Sequence, residues 1–141
     1  MLFRSTLIRH EGYTIEVQIE RSALVRADRT MILQVIYNLI NNAVNYTGDS
    51  RRVAVTQTVR DGVVRLSVAD DGEGIPPESI PDIWDRYYRV DKVHKRAVMG
   101  TGLGLSIVKS VLEAHGAAYG VDSAVGVGSI FWFELPLCEE E

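Results

Sequence analysis

The sequence holds one cysteine, Cys138, in 141 residues. That excludes an internal disulfide framework and a multi-cysteine zinc site, and it favours a reducing compartment. Long apolar runs are missing as well. None approaches the roughly 20 residues that a membrane helix needs, and no signal peptide is read. These residues are expected to be soluble and to make no membrane contact, any membrane link lying elsewhere in the protein. The three histidines carry no metal-ligand spacing. No Ser/His/Asp or Cys/His arrangement can be assembled. Positive charge is in deficit: 15 Lys and Arg against 19 acids leave a net charge of −4. An acidic balance argues against a nucleic-acid partner, because phosphate contacts usually make a domain basic.

What is present is ordinary for a globular chain: 46% apolar and 24% charged residues. The length suits one domain, residues 1–141, with a core that needs no covalent staple. Leu2, Phe3, Leu7 and Ile8 are spaced like the end of an amphipathic helix stopped by Gly12. Tyr13, Ile15, Val17 and Ile19 alternate as a strand, and Leu24 to Arg26 reads as a short extended piece. Asp28 is placed to cap a helix. From Arg29 to Tyr46 the pairs Met31–Ile32, Val35–Ile36, Leu39–Ile40 and Ala43–Val44 fill one broad helical face.

Val53 to Val59 and Val63 to Ala69 flank Asp61-Gly62, a strong hairpin signal. A second helix runs from Leu103 to His115 and ends at Gly116. Strands follow over Ala118–Ser123 and Ser129–Leu135. Asp70 to Gly100 shows little periodicity and holds three of the four prolines, Pro76, Pro77 and Pro81. Such a segment inside a compact domain is often a functional lid.

Three constellations carry chemistry. Gln34, Asn38, Asn41 and Asn45 lie within about 60° on the helical wheel, with Asn42 at the border of the apolar face. Asparagine is a mediocre helix former. A solvated face would favour charged residues, whereas an amide oxygen can ligate Mg²⁺. Asp70-Asp71-Gly72-Glu73-Gly74-Ile75 falls where a buried strand ends, the usual place for ligand groups in sheet proteins. A carboxylate there can accept from an exocyclic amine, and the glycines let backbone approach a ligand. Gly100-Thr101-Gly102-Leu103-Gly104-Leu105 opens into a helix. It is neither a Rossmann fingerprint nor a Walker A loop, but its free N–H groups suit phosphate. Between the last two, Pro81 to Arg96 carries five Lys/Arg and three Asp. That is a locally positive stretch fit for polyphosphate, with Trp84 and Tyr87 expected to pack the lid.

In this order the pieces closely resemble the ATP-binding catalytic domain of two-component sensor histidine kinases. Gln34 to Thr47 resembles the asparagine box, Asp70 to Pro76 the first glycine box, Ile83 to Lys92 the aromatic box, and Gly100 to Lys109 the second glycine box. Gly126-Val127-Gly128-Ser129 before a closing strand also fits. The resemblance covers about Gly12 to Pro136.

It implies an α+β fold. This would be a two-layer α/β sandwich of the Bergerat type, shared with gyrase-type ATPases and heat-shock chaperones. A mixed sheet of about five strands would be backed by about three helices, with an ATP lid over about 72–100. It also implies roles. Asn42 would ligate Mg²⁺ with Asn38 assisting. Asp70 would accept the adenine amino group, with Gly72, Gly74 and Ile75 shaping the pocket and Tyr46 near the base. Gly100, Thr101, Gly102, Leu103, Gly104 and Leu105 would meet the phosphates, and Ser129 would join the nucleotide site. Tyr88, Arg86, Arg89 and Lys92 would contribute from the lid, with Arg86 and Arg89 acting in catalysis.

Three positions depart from the family. Asn45 stands where a phosphate-touching Lys is usual, Met99 stands where a second glycine usually precedes Gly100, and Trp84 and Tyr87 stand where Phe is usual. The family's reaction moves the ATP γ-phosphoryl to a histidine on a dimerisation helix, with a response regulator downstream. His10-Glu11 mimics the acceptor dipeptide, but Gly12-Tyr13 follows it. The acceptor is therefore expected in another part of a longer, membrane-anchored kinase. The competing readings are a serine kinase of the anti-sigma-factor type, which the Trp84–Lys92 stretch argues against, and a degenerate nucleotide-binding module used for interaction.

Overall fold

Alternation along the strands and pairing of apolar residues along the helices dictate two layers, one sheet and one set of helices. In the computed structural model, which describes residues 4–85 and 104–138, six strands form one mixed sheet. They are β1 (Arg4–His10), β2 (Tyr13–Ile19), β3 (Arg52–Arg60), β4 (Val63–Asp70), β5 (Ala118–Ala124) and β6 (Gly128–Pro136). Their order is β1-β2-β3-β4-β6-β5. Only β2 and β3 are parallel neighbours, and the helix α1 (Arg29–Tyr46) makes the crossover that such a pair requires. The helix α2 (Gly104–Ala114) lies beside α1, and a 3₁₀ turn covers Pro77–Asp82.

Each end of α1 is closed by a side chain or a backbone turn. Asp28 Oδ1 accepts from the Met31 N–H at 3.0 Å, satisfying one of the helix's free donors. Val35, Leu39 and Ala43, four apart, are its buried stripe, and Val108, Val111 and Leu112 are that of α2. They pack on the inner residues of the sheet, where Val55 of β3, Val68 of β4 and Phe131 of β6 stand in register. The turn Asp61-Gly62 has positive φ at both residues, 54° and 77°, which is the I′ geometry its dipeptide favours. Gly116, at φ 67°, ends α2 as expected, with the Ala117 N–H returning to the Leu112 carbonyl at 3.0 Å.

Two expectations change. Residues 4–10 form a strand, not a helix end, and they bring the sheet from about five strands to six. Glu11 and Gly12, both with positive φ, make a tight hairpin that pairs β1 with β2 from Arg4↔Ile19 to His10↔Tyr13. Every residue of β1 is exposed. With neither face buried it carries no alternation for a reader to see, and a left-handed glycine closes a hairpin as readily as a helix. The segment expected as a lid from residue 72 is, through Asp85, folded onto the body. Ile75 and Ile83 are buried, and Trp84 sits edge-on to Tyr119 and Phe131, with centroids 5.1 and 5.7 Å apart.

Candidate nucleotide site

The inner face of β4 runs Val64, Leu66, Val68 and then Asp70. Across the sheet, Asp70 stands level with Val53 of β3 and Ser129 of β6, one row beyond the Val55–Val68–Phe131 row. A carboxylate thus ends an apolar row. Burial is the main cause that pushes its pKa up to about 6, with the neighbouring Asp71 charge adding to it. The Gly72 N–H, donating to Asp70 Oδ1 at 2.8 Å, and the Ser129 backbone work against that rise.

The loop after Asp70 is wedged between two neighbours by backbone contact. A Cβ at Gly72 would lie 1.8 Å from the Tyr46 carbonyl oxygen, and one at Gly74 2.2 Å from that of Ala124. These glycines are required by close approach of the end of α1 on one side and of the β5–β6 turn on the other. The Gly126 N–H donates to the Glu73 carbonyl at 2.7 Å. Beneath the loop the Ser123 hydroxyl accepts from the Ile75 N–H at 2.8 Å. It also lies 2.8 Å from the Ser129 hydroxyl. Ser129, expected at the nucleotide, is buried under the loop with its hydroxyl engaged there.

Asp71 turns the other way. Its Oδ1 accepts from the Thr47 hydroxyl at 2.9 Å and from the Gly48 N–H at 3.3 Å, and its Oδ2 from the Ser50 hydroxyl. The Ser50 bond is the leading cause that holds this carboxyl below the usual range, with Thr47 and Gly48 assisting. Two adjacent carboxylates therefore differ in state: one is poised near neutral pH, the other is firmly ionised. An open cleft of about 370 Å³ lies between Tyr46–Asp49 and Asp71–Glu73.

On α1 burial divides the amide stripe. Gln34 and Asn41 are exposed, while Asn38, Asn42 and Asn45 are half-buried. Asn38 Nδ2 is buried and has no hydrogen-bond partner among the described residues. An amide left in that condition costs free energy unless something polar reaches it. Among the described residues no group of three or more His, Cys, Asp or Glu is placed to hold a metal. Neutral amide oxygens alone are poor company for a divalent cation, which takes hard and preferably anionic oxygens. The residues fit Mg²⁺ only when phosphate oxygens arrive with it.

Gly104 and Leu105 open α2. Arg86, Tyr88, Arg89, Lys92, Gly100, Thr101, Gly102 and Leu103 lie outside the described residues. His10 ends the exposed edge strand β1 and is part of no helix. The roles of Thr47, Ser50 and Ser123 beside the site were not legible in the sequence, nor was that of His115 at the far end of α1. His115 Nε2 accepts from the Asp28 N–H at 3.0 Å, and its Nδ1 lies 2.8 Å from the Val111 carbonyl, so it joins α2 to the start of α1. Only Thr47-Gly48-Asp49 left a trace in the sequence, as a break in helical periodicity.

The model of the histidine kinase-, DNA gyrase B- and HSP90-like ATPase family matches residues 27–139. The chain belongs to this family. It is 39% identical over 124 residues to the sensor histidine kinase WalK of Bacillus subtilis (strain 168), covering 86% of this chain and 20% of WalK. Full-length ShkA, solved in complex with AMPPNP, superposes with a TM-score of 0.75 at 34% identity over 89% of this chain and 26% of ShkA. The histidine kinase ThkA, solved in complex with the response regulator protein TrrA, superposes with a TM-score of 0.68 at 31% identity over 86% of this chain and 33% of that one. The chain spans about a fifth of the length of WalK. No helix among the described residues is long and apolar enough to cross a membrane.

Proposed function

We propose that this domain binds Mg²⁺–ATP and presents its γ-phosphoryl group to a histidine on a dimerisation helix elsewhere in a sensor kinase. A response regulator then receives the phosphoryl group. The observation that carries the reading is Asp70, a carboxylate set at the end of an apolar row beside a glycine loop that leaves room for no side chain. Such a group selects a ligand edge that donates, as the adenine amino group does, over one that presents oxygen.

The other residues take their places around it. Tyr46 lies beside the base, with Gly72, Gly74 and Ile75 framing it and Ser129 supporting from below. Asn42 and Asn38 offer amide oxygens to Mg²⁺, which supplies charge neutralisation at the phosphates when bound. The otherwise unmatched Asn38 N–H is then free to meet a phosphate or water oxygen. Asn45, Gly100 to Leu105 and the cations Arg86, Arg89 and Lys92, with Tyr88, serve the phosphates. Phosphoryl transfer is mostly positioning and charge stabilisation, and this domain supplies the donor half of both. It works as the cytoplasmic part of a membrane-anchored sensor.

The test is incubation with γ-labelled ATP, with and without the dimerisation domain of a related kinase. Label is expected on the added domain's histidine and none on the chain alone. Label on His10 overturns the reading, because that histidine would then be an acceptor within this domain.

A further inference from the structure

Asp71, next to Asp70 in the chain, is turned toward the α1–β3 turn, and both of its oxygens are engaged there. It takes three donors from one short turn, Thr47, Gly48 and Ser50. Thr47 is 1% exposed, caps the end of α1 and sends its N–H back to the Ala43 carbonyl at 2.8 Å. Its single hydroxyl proton lies between Asp71 and the Arg52 carbonyl, 2.8 Å away at the start of β3. The Ser50 hydroxyl also accepts from the Arg52 N–H at 3.2 Å. Through one side chain the end of β4 is therefore tied to the whole α1–β3 turn.

The tie matters because of what it joins. The amide residues sit on α1, and Asp70 sits on β4. Where these elements meet they touch through bare backbone: Gly72 against the Tyr46 carbonyl, and Gly48 so near the Asp71 carbonyl that a Cβ would be 2.9 Å from it. Backbone in van der Waals contact can slide, because dispersion is non-directional. Charge-assisted hydrogen bonds are directional and about twice as strong as neutral ones.

We propose that Asp71 is a positioning residue. By holding the Thr47–Ser50 turn, it sets the distance between the amide face of α1 and the adenine-selecting Asp70, and so the span available to a nucleotide. This rests on the ATP reading given above. A ligand that bridges both elements, ATP with Mg²⁺, feels that distance. Adenosine, which reaches only the Asp70 side, does not.

The experiment titrates ATP with Mg²⁺, and separately adenosine, into the 141-residue chain and its variants, at a temperature where circular dichroism shows each to be folded. Asp71→Ala is expected to weaken ATP about tenfold and adenosine by less than about twofold. Asp71→Asn keeps an oxygen for Thr47 and Gly48 and can donate to Ser50, so it should restore ATP to within about threefold. Ser50→Ala, at an exposed position, should weaken ATP about threefold; it decides the matter if Asp71→Ala does not fold.

A drop in stability with both affinities unchanged, or equal losses for ATP and adenosine, overturns the positioning role. Failure of the unsubstituted chain to bind ATP overturns the nucleotide reading and this proposal with it. Normal binding by the parent and by the variants overturns this proposal alone.

Discussion

The two ends of the sheet are built to different standards. From β3 to β5 the inner face is covered by α1 and α2, and Val53, Val55, Val68, Phe131, Phe133 and Leu135 are buried. At the other end β1 is exposed along its length, with Leu7 at 53% and Ile8 at 46%. The strand β2 packs Ile15 and Val17 against the core and is tied to β3 by backbone pairing and by Glu20, whose carboxylate takes the Val59 N–H at 2.9 Å and the Arg60 guanidinium at 2.6 Å. The described residues of the candidate site belong to the covered end. A ligand that must be selected by one carboxylate and met by a row of amides needs a rigid, dry frame, and only the covered end supplies one. The family model matches residues 27–139, which contain the whole of the covered end.

The largest test of this contrast is in the core. Leu39→Ala removes a buried side chain between α1 and the sheet and should cost about 2–5 kcal/mol. Ile8→Ala on the edge hairpin should cost less than about 1 kcal/mol. Urea unfolding of both variants checks it. Equal losses would mean that the hairpin is part of the core after all.

A second test uses the charge that the covered end tolerates. Asp70 has an ordinary carboxyl pKa of 3.8 when unfolded and about 6 in the fold. A raised folded pKa means that the folded chain holds its proton longer. The penalty is therefore absent below about pH 3, builds as pH rises from about 3 to about 6, and stays constant above that. Two units correspond to about 3 kcal/mol, an upper figure. Asp70→Asn, which keeps an oxygen for the Gly72 N–H, should stabilise the chain at pH 8 by about 1–3 kcal/mol. It should do nothing at about pH 3, and it should narrow any preference for ATP over GTP. A pH-independent difference between the two proteins would place the carboxyl in water.

These two ends also differ in how far residues disclosed them. The covered end was legible because its strands and helices bury one face, so Val35–Leu39–Ala43 and Val64–Leu66–Val68 carry their periods openly. Asp70 could be read as buried, since it falls in phase with Val64, Leu66 and Val68. The edge strand could not be read, because nothing selects one of its faces. Nor could the prolines at 76, 77 and 81 be told apart from a lid, since Gly74 and Ile75 are anchored by Ala124 and Ser123, and Trp84 by Tyr119 and Phe131, all far along the chain. Asp71 was visible as a letter of the glycine box, but its partners Thr47 and Ser50 lie more than twenty residues away, and no local period announces them.

The smallest effect sharpens the site's open side. Asn45 shares the half-buried amide face with Asn38 and Asn42, and the family usually carries Lys there. Asn45→Lys should tighten ATP by roughly fivefold, about 1 kcal/mol, and leave adenosine unchanged. Competition binding of the two ligands measures it. Equal gains for both would take residue 45 away from the phosphates.

Calorimetric titration of ATP and GTP into the unsubstituted chain with Mg²⁺ decides whether the buried carboxylate at the end of β4 selects adenine. A carboxylate can accept from the adenine amino group but repels the oxygen that guanine presents in its place. ATP should therefore bind about 10- to 100-fold more tightly than GTP, the value of one unsatisfied buried polar pair. Equal affinities for the two nucleotides would contradict the account.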